Sequence, residues 1–167
     1  AINRKRVIQI MKEKHPAKAE VYFLDSLKSR YKTSSTKELV NRLHSVPVSI
    51  VLAQAAIESG WGSSRFFLKA NNPFGIWSFD AKHNRIEADS NRNGKKIYLR
   101  KFNDLEEAID EYFIMIATRK SFARLQKACI DTQDPYKLVP YLNAYSERGA
   151  DYTKDLSKMI RTNHLEK

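Results

Sequence analysis

Across 167 residues there is one cysteine, Cys129, with only five glycines and five prolines. A single thiol excludes an internal disulfide framework and any metal site built on several cysteines. It does not exclude an oxidising compartment; the fold simply makes no use of one. So little glycine and proline excludes collagen-like and low-complexity chains, and 42% hydrophobic residues exclude a disordered one. Long apolar runs are missing too. The least charged stretch, Val46 to Ile57, falls well short of the roughly 20 apolar residues that cross a bilayer. No charged-then-apolar leader is visible at Ala1. The four histidines, His15, His44, His83 and His164, lack metal-ligand spacing. Phosphate-binding loops, the dinucleotide fingerprint and the nucleophile elbow are also missing, so no metal and no cofactor is expected. Acidic residues are scarce: 19 Asp and Glu face 30 Lys and Arg, a formal charge of +11. An excess of this size points to a polyanionic partner: nucleic acid, an anionic membrane surface or an anionic cell-wall polymer. The basic residues form no block of five or six, which argues against a simple basic tail.

What is present reads as helices around a small β element. Val7, Ile8 and Met11 lie in a basic segment that stops at Pro16, and Val21, Leu24, Leu27 and Tyr31 follow at near-helical spacing. Ser35 with Glu38 forms a capping-box pattern that opens a helix to about His44. Pro47 then suits a first helical position. From Pro47 to Glu58 the apolar residues surround the helix on nearly every side, which predicts burial in the core. A short helix is predicted over 63–70, and Asn71-Asn72-Pro73 is a turn signal. Residues 96–102 alternate, and Asn93-Gly94 favours a hairpin, so two or three antiparallel strands are expected. Helices resume at Asn103 or Asp104, with Ile109, Tyr112, Phe113 and Ile116 as the buried stripe. Further helices open at Ser121 and at Asp134-Pro135, and the last runs from about Ala150 to Arg161. The fold class is mainly α (α+β). Residues 1–34 are expected as an N-terminal helical arm and 35–167 as the main domain, with the β part at about 74–102.

The sharpest feature for chemistry is the end of the apolar helix, Gln54-Ala55-Ala56-Ile57-Glu58-Ser59-Gly60-Trp61-Gly62. Glu58 stands at a helix C-terminus, where the macrodipole disfavours negative charge. Partial burial and a nearby Trp61 push in the same direction, toward a protonated carboxyl. A carboxyl kept protonated near neutral pH is what a general acid requires. The glycines let backbone approach a ligand, and Trp61 offers a flat face suited to a sugar ring. The competing reading is a surface glutamate at a glycine-capped helix end. Cys129 falls on an apolar helical face and reads as a small core residue rather than a nucleophile.

These residues resemble a known family. "AQAAIESGWG" at Ala53–Gly62, "SSRF" after it, "NNPFGIW" at Asn71–Trp77 and "YSERGADYTKDLSKMIR" at Tyr145–Arg161 are similar to the glucosaminidase domain of glycoside hydrolase family 73. The similarity is greatest to its bacterial Bax-type branch, which is unrelated to the animal apoptosis protein. The resemblance runs from about Ser35 to Leu165. It implies a lysozyme-like fold, with a helical lobe, a small β lobe and a cleft between them. It implies cleavage of the β-1,4 bond after N-acetylglucosamine in peptidoglycan, with Glu58 as the acid that protonates the leaving oxygen. The expected partners are peptidoglycan glycan strands and the anionic cell-wall surface, with no nucleic acid. The expected location is extracytoplasmic, with any leader or anchor lying outside this sequence.

A glycosidase needs a second group: a base carboxylate with room for water, a closer nucleophile, or the substrate's own acetamido oxygen. The resemblance places the second carboxylate in the β lobe, where Glu87 is the choice and Asp89 the alternate; otherwise both are solvated charges balancing Lys82, Arg85 and Arg92. Tyr145 matches the family tyrosine whose hydroxyl orients a water or the acetamido group, and Tyr152 matches the second tyrosine of that motif. Asn72, Phe74 and Trp77 are expected to line the cleft floor, or Phe74 belongs to the core and Trp77 forms a wall; Gln54, one turn before Glu58, either hydrogen-bonds near the acid or is a satisfied core amide. Gln54, Trp61, Asn72, Phe74, Trp77 and Tyr152 together form the expected substrate-binding set. Pro73 stands where the family more often has leucine, and Trp77 where it often has lysine. Two other functions compete. One is a glycan-binding module that has lost catalysis; the other is a basic nucleic-acid-binding helical protein, which only the charge supports.

Overall fold

The structure is a computed structural model that describes residues 2–92 and 94–166. In chain order the elements are α1 (Ile2–Ile10), α2 (Lys18–Arg30), α3 (Thr36–Arg42), α4 (Val48–Ser59), α5 (Arg65–Ala70), β1 (Arg85–Arg92), β2 (Lys95–Arg100), α6 (Leu105–Thr118), α7 (Ala123–Asp131), α8 (Pro135–Leu138) and α9 (Ala150–Thr162). Short 3-10 turns at Lys120–Phe122 and Val139–Leu142 flank α7 and α8. The described residues are mainly helical with one small antiparallel sheet, the class expected. It divides into two compact units. One is Ala1–Pro47 with Phe113–Ser157; the other is Val48–Tyr112 with Lys158–Lys167.

In the first unit, α1, α2 and α3 share a core. Val7 and Leu39 are fully buried, Leu27 and Leu43 nearly so, and Phe23, Leu24, Tyr31 and Val40 pack against them. The pairs Phe23/Leu27, Leu27/Tyr31 and Leu39/Leu43 stand four residues apart, so each falls on one helix face. Ser35 caps α3 by accepting from the Glu38 N–H at 3.3 Å. The reciprocal half of the box is replaced: Glu38 accepts from Arg42 Nε at 3.0 Å, and the Ser35 N–H goes to Thr33 Oγ1. Arg42 also donates through Nη1 to the carbonyls of Tyr31 and Lys32, closing the end of α2. Asp134 caps α8 by accepting from the Tyr136 N–H, with Pro135 at the first helical position.

In the second unit, α4 departs from expectation. Ile50, Ala53, Gln54 and Ser59 are buried, but Val48 is 71% and Leu52 50% exposed. The helix packs along one side only, and Val48 and Leu52, four residues apart, mark the open one. The stripe of α6 also differs: Ala108, Tyr112 and Ile114 to Ala117 are buried, while Ile109 is exposed. The start of α6 is resolved between its two candidates. Asp104 accepts from the Glu107 N–H at 2.8 Å, and the Glu107 carboxylate reaches back to the Asn103 N–H at 2.8 Å. The first bond is the capping half of a capping box; the second reaches the residue before the cap, Asn103, instead of the cap itself.

The sheet of the described residues has two strands, β1 and β2, with Trp77 forming an isolated bridge to Leu99. Arg85 pairs with Arg100, Ile86 with Leu99 and Glu87 with Tyr98. An irregularity follows before Asn91 pairs with Lys96 and Arg92 with Lys95. Three residues of β1 there face one residue of β2, a bulge that twists the hairpin. Of the expected turn dipeptide, Asn93 lies outside the described residues, and Gly94 has φ +72°.

Two outcomes follow from this packing. Leu39→Ala should destabilise the chain by about 2–5 kcal/mol, read as a lower urea midpoint at unchanged slope. Cys129 is 3% exposed, and burial pushes its thiol up to about 11. At pH 8 the folded protein should therefore resist a thiol-specific disulfide reagent and react fully once denatured, as followed by absorbance.

Candidate active site

Glu58 is the last residue but one of α4, and the way that helix stops decides its surroundings. The Trp61 N–H bonds to the Ala56 carbonyl at 2.8 Å and the Gly60 N–H to the Ile57 carbonyl at 3.4 Å. With Gly60 at φ +55°, this is a Schellman ending. Trp61 and Gly62 remain left-handed, at φ +56° and +80°. Ser59 Oγ holds the turn by donating to the Ala55 carbonyl at 2.6 Å and accepting from the Gly62 N–H at 2.8 Å. A non-glycine residue in this conformation costs about 1–3 kcal/mol and marks a candidate functional position. Trp61 carries that strain with its side chain 66% exposed.

Beside Glu58 lies a residue that the sequence reading passed over. A Cβ built on Gly75, which has φ +61°, would stand 3.6 Å from Glu58 Oε2. The turn that brings it there is held by Asn72. Its Oδ1 accepts from the Ile76 N–H at 2.9 Å, and its Nδ2 donates to the carbonyls of Ile76 at 3.0 Å and Arg100 at 2.9 Å. Phe74, next to Gly75, stacks on Tyr112 with ring centres 4.4 Å apart. The Tyr112 hydroxyl donates to Gln54 Oε1 at 2.6 Å, one helical turn before Glu58. The signal for Gly75 was a glycine in a turn, but nothing local connects a turn at 75 with a carboxylate at 58.

Gln54, Asn72, Phe74 and Tyr152 were expected to contact substrate. The structure leaves them 0%, 1%, 3% and 1% exposed. Direct contact with a sugar needs exposed atoms; this burial fits the core and packing alternatives that were open for Gln54, Phe74 and Tyr152. Trp61 and Trp77 are the members of the set that reach the surface; Trp77 is 37% exposed and lies 6.0 Å from the ring of Phe79, which is 76% exposed.

Glu87 sits on one face of the hairpin, opposite Tyr98, with Lys96 diagonal to it. Lys96 Nζ lies 3.0 and 3.1 Å from the two Glu87 carboxylate oxygens, and the Tyr98 hydroxyl lies 3.5 Å from Oε2. Accepting the Lys96 proton donor, Glu87 holds that ammonium above its usual range. Asp89 is engaged differently. Arg65 Nη2 pairs with its Oδ1 at 2.9 Å and donates to the Glu87 carbonyl at 2.8 Å, fastening α5 to β1. Arg65 is a second residue the sequence reading missed. In the first unit, Tyr145 is half-buried and lies parallel to Tyr152, ring centres 5.7 Å apart, with Phe122 at 6.2 Å. Among the described residues no group of three or more His, Cys, Asp or Glu could hold a metal ion.

A family model described as mannosyl-glycoprotein endo-beta-N-acetylglucosaminidase matches residues 33–165. Exo-glucosaminidase LytG of Bacillus subtilis (strain 168) is 33% identical over 110 residues, 63% of this chain and 37% of its own length. Protein bax of Escherichia coli (strain K12) is 30% identical over 132 residues, 75% of this chain and 46% of its own. The chain thus spans less than half the length of these two curated relatives. Among solved structures, a peptidoglycan hydrolase from Sphingomonas sp. A1 has a TM-score of 0.60 at 22% identity, over 87% of this chain and 90% of that one. The catalytic domain of the autolysin Auto from Listeria monocytogenes has a TM-score of 0.59 at 16% identity, over 99% and 96%. These likenesses show the fold, the lysozyme-like one that the motifs implied.

Gly75→Ala tests the approach to Glu58. Forcing alanine into a left-handed conformation should cost about 1–2 kcal/mol, a fall in melting temperature of about 2–8 °C by calorimetry.

Proposed function

The chain belongs to this glucosaminidase family, and from that premise we propose that it hydrolyses peptidoglycan at the β-1,4 bond after N-acetylglucosamine, with Glu58 as general acid. The observation that carries the reading is the setting of Glu58. It stands at the negative end of α4, beside the Gly75 backbone and three residues before a strained, exposed Trp61. An acid in that place donates its proton to the leaving glycosidic oxygen as the bond breaks.

The remaining roles follow from what each side chain touches. Trp61 and Trp77 present ring faces to the sugars. Gln54, Asn72 and Phe74 hold α4 and the turn at Gly75 in place. Glu87, kept beside Lys96, is the second carboxylate and assists the attacking water; Asp89 keeps the hairpin seated through Arg65. Tyr145, held flat against Tyr152, orients the water or the 2-acetamido group. Residues 35–167 form the catalytic domain, residues 1–34 its helical arm, and the charge of +11 adsorbs the protein to an anionic wall. The activity places it outside the cytoplasm, where peptidoglycan lies.

The test is a digest of purified peptidoglycan with reducing-end and terminal-sugar analysis. The parent should release fragments ending in reducing N-acetylglucosamine. Glu58→Gln should lose about 10²–10⁴-fold in rate, the usual worth of a positioned acid, while its circular dichroism and melting temperature stay unchanged. Full activity in that folded variant would overturn the assignment.

A further inference from the structure

An open cavity of about 330 Å³ lies within the first unit, and none of the residues proposed for catalysis lines it. Its walls are the start of α1, the segment after α3 and the C-terminal end of α7. Arg4 and Lys5 supply one wall, and Arg4 Nε is buried with no hydrogen-bond partner among the described residues. His44 supplies the second and bonds to the Cys129 backbone; burial first, and the Arg4 charge next, hold its imidazole below the usual range. Leu43 and Ile130 add apolar surface. Gln133 Nε2 donates to the carbonyls of Ser45 and Cys129, both at 3.3 Å, which fixes the rim. Among the described lining residues Asp131 is the one acid.

The cavity therefore combines two fixed cations, one carboxylate, an imidazole and an apolar floor. The Arg4 guanidinium on this wall carries a planar fork of donors, which suits the paired oxygens of a carboxylate. The volume suits a small molecule rather than a polymer. We propose that this cavity binds a small aliphatic carboxylate of the kind that ends a short peptide. Its carboxylate lies against Arg4 and Lys5, and its aliphatic part rests on Leu43 and Ile130. The titratable and charged groups that line the cavity with His44 are Arg4 and Lys5 from α1 and Cys129 and Asp131 from α7; the Arg4 charge and the Cys129 backbone act on the imidazole directly. A bound anion there favours the imidazolium, so the ligand raises the His44 pKa, and by linkage affinity rises as pH falls through that titration.

The experiment is a nitrogen-15 NMR titration of the full chain at low salt. The probes are N-acetyl-alanyl-alanine, its C-terminal amide and inorganic phosphate. The acid should shift the amides of residues 43–45 and 129–133 saturably and raise the His44 pKa. The amide should bind about tenfold more weakly or worse, the loss of a charged hydrogen bond. Arg4→Gln should weaken binding about tenfold by the same measure. Lys5→Gln, at an exposed helical position, should weaken it in the same sense without threatening the fold. Equal binding of acid and amide, wild-type affinity in both variants, or no saturable shift would overturn the proposal. Saturation by phosphate with the dipeptide silent would overturn the aliphatic-carboxylate assignment. None of these readouts requires hydrolysis, so the result stands apart from the Glu58 test.

Discussion

A buried amide must find a partner, and the second unit is organised around one that does. Gln54 is fully buried, and its carbonyl accepts from the Tyr112 hydroxyl, which belongs to a residue 58 positions away. Leaving such a group unmatched costs about 1–3 kcal/mol, so α4 and α6 must meet in one register. Tyr112 then presents its ring to Phe74, which fixes the turn carrying Gly75. Gly75 in turn lies beside Glu58, one helical turn beyond Gln54. One hydrogen bond thus connects the helix that bears the proposed acid to the backbone beneath it.

Around that bond the structure spends stability to set an exposed surface. Three consecutive left-handed residues end α4, and only two are glycine. The third, Trp61, is held by hydrogen bonds through Ser59 and by the Schellman ending rather than by its own packing. The hairpin is secured in a comparable way. Arg65 reaches both the Glu87 carbonyl and the Asp89 carboxylate, so the bulged part of β1 is tied to α5. An exposed ion pair of this kind contributes little stability by itself; its value lies in limiting where the hairpin can go.

Local signals were legible where the chemistry is local. Ser35, Asp104 and Asp134 cap the helices their positions announced, because a capping side chain bonds within three residues of itself. The alternation expected over 96–102 became β2 as far as Arg100, and Gly60 became a helix stop. Burial was less legible. The apolar residues of α4 suggested cover on all sides, yet Val48 and Leu52 face solvent, because hydrophobicity alone does not say which neighbours arrive. The same limit explains Gln54, Asn72, Phe74 and Tyr152, whose types suit a sugar site but whose burial makes them supports.

From the sequence alone came the helical class, the family motifs and Glu58 as the residue to single out. Each rests on short-range spacing: a helix end, a glycine stop, a tryptophan three residues after the glutamate. Only the tertiary structure put Gly75 against Glu58, gave Gln54 its partner on α6, committed Asp89 to Arg65 and gathered Arg4, Lys5 and His44 around one cavity. Those relations join residues tens of positions apart. They are decided by which buried polar groups and charges can be satisfied at once when the chain closes, a condition on the packed whole that no local pattern carries.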